Sequence, residues 1–320
     1  MCGSFFLLLK TNLFTMETKQ AFNKLYSTPT ELVKLLQSRG LLIDNTTDAV
    51  RHIQNIGYYR LSAYMYPLLR KPKIEHCYKK NASFDQVLML YRFDKKLRIF
   101  IFNEIEKIEV SIRSAIVGCG CEVSNDPFWI TNPDNFKDLS KYRHTLELIE
   151  SEVDHSREDF ILHFKQKYCE KYPPAWILAE ILPFGVATSI FSNIKNMRLK
   201  KKVAQRFGLQ VSPFESWMTI VTLTRNACCH HARMWNKRNT IRPMLPNHTD
   251  HPWICNHIDP LRIFFDLCII KYFVNVISPE NNMTNNLKML LSNFSKVDPA
   301  AMGIPHGWEE EPVWKEGSLG

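Results

Sequence analysis

Leu97, Ile101, Ile105, Ile108, Ile112 and Ile116 recur at steps of four, four, three, four and four. Only an α-helix returns side chains to one side at that spacing, so the stretch that opens at Ser83-Phe84-Asp85-Gln86 reads as one long helix, ended by Gly118. An apolar stripe of this length demands other helices to cover it. The polar side carries Asp94, Lys95, Lys96, Arg98, Glu106, Glu109 and Arg113, many as opposite charges one turn apart, so Glu106, Glu109 and Arg113 read as an ion-pair ladder.

The rest of the chain supplies the partners. Thr28-Pro29-Thr30-Glu31 is a capping box with Pro at the first helical position, and its helix closes at Gly40. A second short helix runs from about Thr47 to Gly57, and Tyr58 to Tyr66 is the single segment with a strand-like look. Ser124 to Asp138 reads as a loop, followed by helices over about 139–153 and 157–168. Pro173-Pro174 starts an apolar helix that Pro183 and Gly185 break. Ser212-Pro213-Phe214-Glu215 is a second capping box, launching a helix with Trp217, Val221 and Thr224 on one face. A last helix covers about 261–277. The class is all-α, a multi-helix bundle. Its expected parts are an extension over 1–24, a smaller helical region over 25–80, the main helical domain over 81–278 and a tail over 279–320. That tail, with Glu309-Glu310-Glu311, Trp308 and Trp314, either packs back on the basic region or stays loose.

Charge narrows the function. The net +9 is concentrated between Ile181 and Thr249, where eleven Lys or Arg face one acid, Glu215; that window is +10 and the remainder −1. Such a concentration fits a polyanionic partner, because each neutralised phosphate releases counterions. Nine cysteines, an odd number without framework spacing, read as reduced thiols. No apolar run approaches the roughly 18 residues that cross a bilayer, so no membrane partner and a cytoplasmic location are expected.

The chemistry sits in Arg225-Asn226-Ala227-Cys228-Cys229-His230-His231-Ala232-Arg233. If the helix continues, Asn226, His230 and Arg233 fall at i, i+4 and i+7 and share a face. Imidazole, with an ordinary pKa of about 6.5, exchanges protons near neutrality, and guanidinium is a permanent charged fork that matches phosphate. RNA brings its own nucleophile, the 2′-hydroxyl, so that route requires no metal or cofactor. Arg225 and His230, five apart, lie about 140° apart around a regular helix. Either the helix loosens there or two copies of the segment meet at a two-fold axis. Cys228-Cys229-His230-His231 cannot converge on one tetrahedral ion, and Cys255 and His257 do not supply a second pair, so no metal is expected. Cys228 instead packs inward, and Tyr58, Tyr59, Tyr64 and Tyr66 read as core more readily than as base-stacking groups.

These pieces resemble the Abi-like family of abortive-infection bacteriophage resistance proteins. The likeness rests on Gly40-Leu41-Leu42-Ile43, Ile56-Gly57-Tyr58-Tyr59-Arg60-Leu61-Ser62, Phe93-Asp94-Lys95-Lys96-Leu97-Arg98, Glu106-Lys107-Ile108-Glu109-Val110 with Arg113, and the Arg225 to Asn236 stretch. That family is similar to the HEPN superfamily of helical ribonucleases, whose signature is Arg, a polar residue, and His after four to six intervening residues. The resemblance implies a HEPN-type bundle and a homodimeric, metal-independent endoribonuclease, toxin-like and silent until infection, with a small RNA or protein antitoxin as restraint. It implies Arg225, Asn226 and His230 as catalytic residues, with His231 and Arg233 alternative or supporting. Lys200, Lys201, Lys202, Arg206, Lys237 and Arg238 are the expected RNA contacts. His230 is favoured over His231 because it shares a face with Asn226.

Overall fold

In a computed structural model the chain is all-helical, and no β-strand forms among the described residues, which are residue 21 and residues 25–315. The expected extension over 1–24 lies outside them apart from residue 21. The described residues divide into two compact units, one up to residue 62 together with 68–84, the other 63–67 together with the residues from 85 on.

The smaller unit holds α1 (Pro29–Ser38) and α2 (Thr46–Ile56). The Thr28 capping box forms: the Thr28 side chain accepts from the Glu31 N–H while the Glu31 carboxylate reaches back to the Thr28 N–H. Asn45 caps α2, and Gly57 ends it at φ 90°, a conformation that costs other residues strain. Val33, Leu36, Leu41, Ala49 and Ile53 fill the space between these helices. The segment read as strand-like is instead helix, α3 (Tyr58–Met65). Its aromatic residues follow no period of two, and helix satisfies every backbone group locally.

The larger unit is organised by α4 (Phe84–Ser124), 41 residues long. Leu97, Ile101, Ile105, Ile108 and Ile112 are fully buried along it. Gly118 does not end the helix, which runs on through Cys121 to Ser124. Gly120 earns its place there, since a Cβ would sit 2.2 Å from the Trp129 ring. The region read as a loop after Ser124 contains two short 3-10 turns, Trp129–Thr131 and Pro133–Asn135. Then come α5 (Leu139–His155), α6 (Asp159–Lys167) and α7 (Ala175–Ile181). Pro183 ends α7 as expected, but it also starts α8 (Phe184–Asn193), a helix the sequence reading did not include; proline tolerates the first turn of a helix. The basic run forms α9 (Met197–Gln205), capped by Asn196.

The next helix, α10 (Val211–Cys229), starts earlier than the second capping box proposed: Gln210 is the cap, no side chain caps it, and Ser212 lies inside the first turn. It packs between α8, α9 and α11 (Ile263–Ile277). Every residue of α11 from Ile263 to Asn275 is buried, as expected for a helix enclosed on all sides. Phe207, Phe214, Trp217, Trp253, Tyr272 and Phe273 interlock beside it by edge-to-face contacts. The tail folds rather than staying loose, but not onto the basic region. It forms α12 (Met283–Asn293) and then lays Trp314 on Phe264, with ring centroids 5.7 Å apart and planes 10° from parallel. Glu311, buried, accepts from the Cys255 and Asn256 backbone and from the Asn256 amide. No helix of the described residues is long and apolar enough to cross a membrane.

Candidate functional site

The last turn of α10 carries Arg225 and Asn226, and the helix stops at His230. The stop has an identifiable cause. His231 adopts the left-handed conformation at φ 55°, its N–H reaches the Cys228 carbonyl at 3.1 Å, and the Ala232 N–H reaches the Ala227 carbonyl at 2.8 Å. This is a Schellman cap, with His where Gly is usual. The expectation of a continuous helix through Arg233 is therefore corrected: Asn226 and His230 remain one turn apart, with the His230 N–H on the Asn226 carbonyl at 2.9 Å, but Arg233 leaves that face and donates to the Ala63 carbonyl at 2.7 Å. The helix does not loosen between Arg225 and Cys229 either; the chain turns only after the helix has ended.

What fixes the exit of the chain is Asp94 on α4. Its side chain is fully buried and accepts from the Tyr64 hydroxyl at 2.6 Å, the Arg98 guanidinium, the Met234 N–H at 3.1 Å and the Trp235 N–H at 2.6 Å. Arg98 also donates to the Ala232 carbonyl at 3.1 Å. Both oxygens and the backbone just beyond His231 are thus tied to α4, and charge-assisted bonds of this kind are the strong ones. Sequence reasoning put Asp94 and Arg98 on the polar side of the helix. Yet Asp94, Leu97 and Ile101 stand three and then four residues apart, on the apolar stripe, and a carboxylate at such a register announces a buried partner.

Arg225 is half-buried and its Nε donates to Glu109 Oε1 at 2.9 Å, while Nη1 lies 3.4 Å from Asn226 Oδ1. Glu109 thus belongs to the site, not to a ladder along α4. Arg113 donates instead to the Ala179 and Leu182 carbonyls at 3.0 and 3.2 Å. Asn226 Oδ1 accepts from Arg225 rather than from the imidazole of His230. His230 and Asn226 are exposed, His231 is exposed beside them, and Cys228 is buried. Burial pushes the Cys228 thiol up to about 12, so it stays protonated at neutral pH. Among the described residues no three His, Cys, Asp or Glu side chains are grouped to hold a metal ion.

Behind this turn lies Asp266 of α11, a group the sequence did not flag. It is buried; Oδ2 accepts from the Thr224 hydroxyl at 3.2 Å and the Asn239 amide at 2.8 Å, and Oδ1 has no partner among the described residues. Burial raises its pKa from 3.8 to about 7, against the lowering effect of those two bonds and of Lys237.

The basic window disperses on folding. Lys200 turns inward, 3 % exposed, onto Glu215 at 2.5 Å, which removes it from the expected RNA contacts: a buried ammonium requires a carboxylate, and Glu215 is the acid one helix away. Lys202 pairs with Glu122 on α4, and Arg238 with Asp259 at 2.8 Å. Lys201 and Arg206 are exposed on and just after α9, and Lys237 is partly exposed.

The family model described as Abi-like protein matches residues 51–236, more than half of the chain, from α2 through Asp94, Glu109 and the Arg225–His230 turn to Asn236. No curated protein and no solved structure matches. With a match that spans both the long helix and the polar turn it holds, the chain belongs to the Abi-like protein family.

Proposed function

We propose that the protein is a metal-independent endoribonuclease of HEPN type, acting as the toxin-like effector of a bacterial abortive-infection system. Family membership carries the coarser part, abortive-infection phage resistance. The observation that supports the finer part is the polar turn itself. An exposed imidazole stands at the end of a rigid helix, one turn from an exposed amide, with a guanidinium held by a carboxylate beside them. In this reading His230 takes the proton of the 2′-hydroxyl, whose oxygen attacks the adjacent phosphorus. The 5′-oxygen leaves and takes a proton from the imidazolium or from water, giving a 2′,3′-cyclic phosphate and a 5′-hydroxyl. Arg225 stabilises the charge on the phosphorane. Positioned proton transfer contributes roughly 10² to 10⁴ in rate.

Arg225 faces α4 while His230 faces solvent, and the two groups are most simply brought to one phosphate by a second copy of the chain. Ile99, Phe102 and Val110 lie on one exposed face of α4, and Leu223 is exposed on the side of α10 that carries His230, seven residues before it, so apolar surface is available for such a homodimer. The test is cleavage of structured and tRNA-like RNAs by the purified protein in EDTA. His230→Ala should abolish cutting and leave the fold and RNA binding unchanged; cutting at the parental rate would refute the assignment. One observation favours a second reading, a non-catalytic RNA-binding module: the Glu109 contact gives Arg225 a purely structural use. That reading expects salt-sensitive RNA binding with no product.

A further inference from the structure

A pocket of about 290 Å³ opens between α5, α8 and α10, away from the Arg225–His230 turn. Phe191 and Met218, both fully buried, lie beneath it; Thr188, Ser192 and Thr219 line its walls, and Glu215 lies among them. Glu215 Oε1 is engaged by the buried Lys200 at 2.5 Å, and Lys200 also reaches the Ser192 carbonyl at 3.3 Å. The carboxylate is therefore neutralised from behind, while its second oxygen makes no hydrogen bond among the described residues and can accept from a ligand. At the mouth stand Lys137 and Lys141, both exposed; Lys141 is only 4.0 Å from Asp138, a loose surface pair of little energetic consequence.

An apolar floor, an acceptor with no net charge to repel an anion, and two ammonium groups at the rim are the parts needed to hold one unpaired nucleotide, base inward and phosphate at the rim. Its position agrees. Glu215, Thr219, Thr222, Asn226 and His230 follow at steps of four, three, four and four, so the pocket lies on the same face of α10 as the polar turn. Thr219 and Asn226 are seven residues apart, about 10 Å along the helix, a reach that a single strand covers within a few nucleotides.

We infer that this pocket is a subsite for a nucleotide of the RNA chain outside the scissile bond, and that Glu215 selects bases carrying an exocyclic amino group over uracil. A carboxylate accepts from the N4 amine of cytosine, whereas uracil offers a carbonyl at that edge. The inference rests on the RNA-binding part of the proposed function and not on cleavage.

The test is fluorescence anisotropy of the full chain with short 2′-O-methyl oligocytidine and oligouridine, which lack the nucleophile and so report binding alone. Three variants are compared with the parent: Thr219→Met, which fills the pocket from an exposed position; the double change Lys137→Ala with Lys141→Ala; and, as a control outside both the pocket and the polar turn, Met289→Ala on the exposed side of α12. Oligocytidine should bind about tenfold more tightly than oligouridine. Thr219→Met should erase that preference. The double lysine change should weaken both oligomers and lower the salt dependence by about two phosphate contacts, and Met289→Ala should alter neither. Equal binding by all four proteins, or tighter binding of free cytidine monophosphate than of the oligomer, overturns the subsite. A parent that binds and discriminates but cuts no RNA overturns the ribonuclease reading and leaves the subsite standing.

Discussion

Two buried carboxylates bracket the Arg225–His230 turn, and they are built on opposite plans. Asp94 faces four donors distributed over both oxygens, one of them a guanidinium, and two of them N–H groups of the chain as it leaves the turn. Asp266, behind Thr224 at the start of the turn, has two neutral donors on one oxygen and, among the described residues, none on the other. The first arrangement fixes a backbone path. The second stores an unfavourable charge, since an unsatisfied buried group costs its full desolvation. The exit of the turn is therefore clamped, whereas its entry rests on a group whose charge changes near neutral pH.

The contrast can be broken most forcefully at Asp94. Asp94→Ala leaves Arg98 buried without its partner and two N–H groups unmet, so unfolding in denaturant should show a loss of about 3–5 kcal/mol. A loss under 1 kcal/mol would mean the clamp is not what orders the turn. Asp266 should behave in the opposite sense. Its folded pKa, about 7, lies above the unfolded 3.8, so the folded state binds the proton more tightly. The protein is favoured by this group below pH 4, and loses that advantage progressively as pH rises through 7. The full difference is on the order of 4 kcal/mol, and Asp266→Asn, which stays neutral, should flatten the melting temperature between pH 5 and pH 8 relative to the parent. Parallel pH profiles for the two proteins would contradict the assignment.

Smaller effects sharpen the comparison. Glu109→Gln keeps a hydrogen bond to Arg225 but removes the charge, and should cost about 1–2 kcal/mol while lowering RNA cleavage more than RNA binding. An unchanged cleavage rate would make the ion pair purely structural. His231→Gly relieves the left-handed residue at the cap and should change stability by no more than about 1 kcal/mol, toward greater stability. Cleavage should survive this change and fail in His230→Ala; the reverse pattern would transfer the proton-exchanging role to His231.

Much of the scaffold was legible in the chain because it is written in local chemistry. The aliphatic period marked α4, Thr28 and Glu31 marked the start of α1, and Gly57 marked the end of α2. Pro183 does end α7, but α8, which it also begins, went unread, because proline and an early glycine do not distinguish a helix start from a loop. The candidate site was half legible. The residue types from Arg225 to His230 could be read in order, but their geometry depends on Asp94 and Glu109, more than a hundred positions earlier, and no local pattern discloses which carboxylate meets which donor. The dispersal of the basic window has the same origin: Glu122 and Asp259 lie outside it in sequence and against it in space.

The wholly enclosed helix α11 lies beyond the residues the family model matches, 51–236, yet Phe214, Trp217 and Val221 of α10 are buried in the unit it helps to fill. A recombinant fragment trimmed to those boundaries would present that aromatic surface to water and precipitate or bind nonspecifically. Work on isolated family segments therefore has to carry the chain through Trp314, whose indole seals the far side of α11.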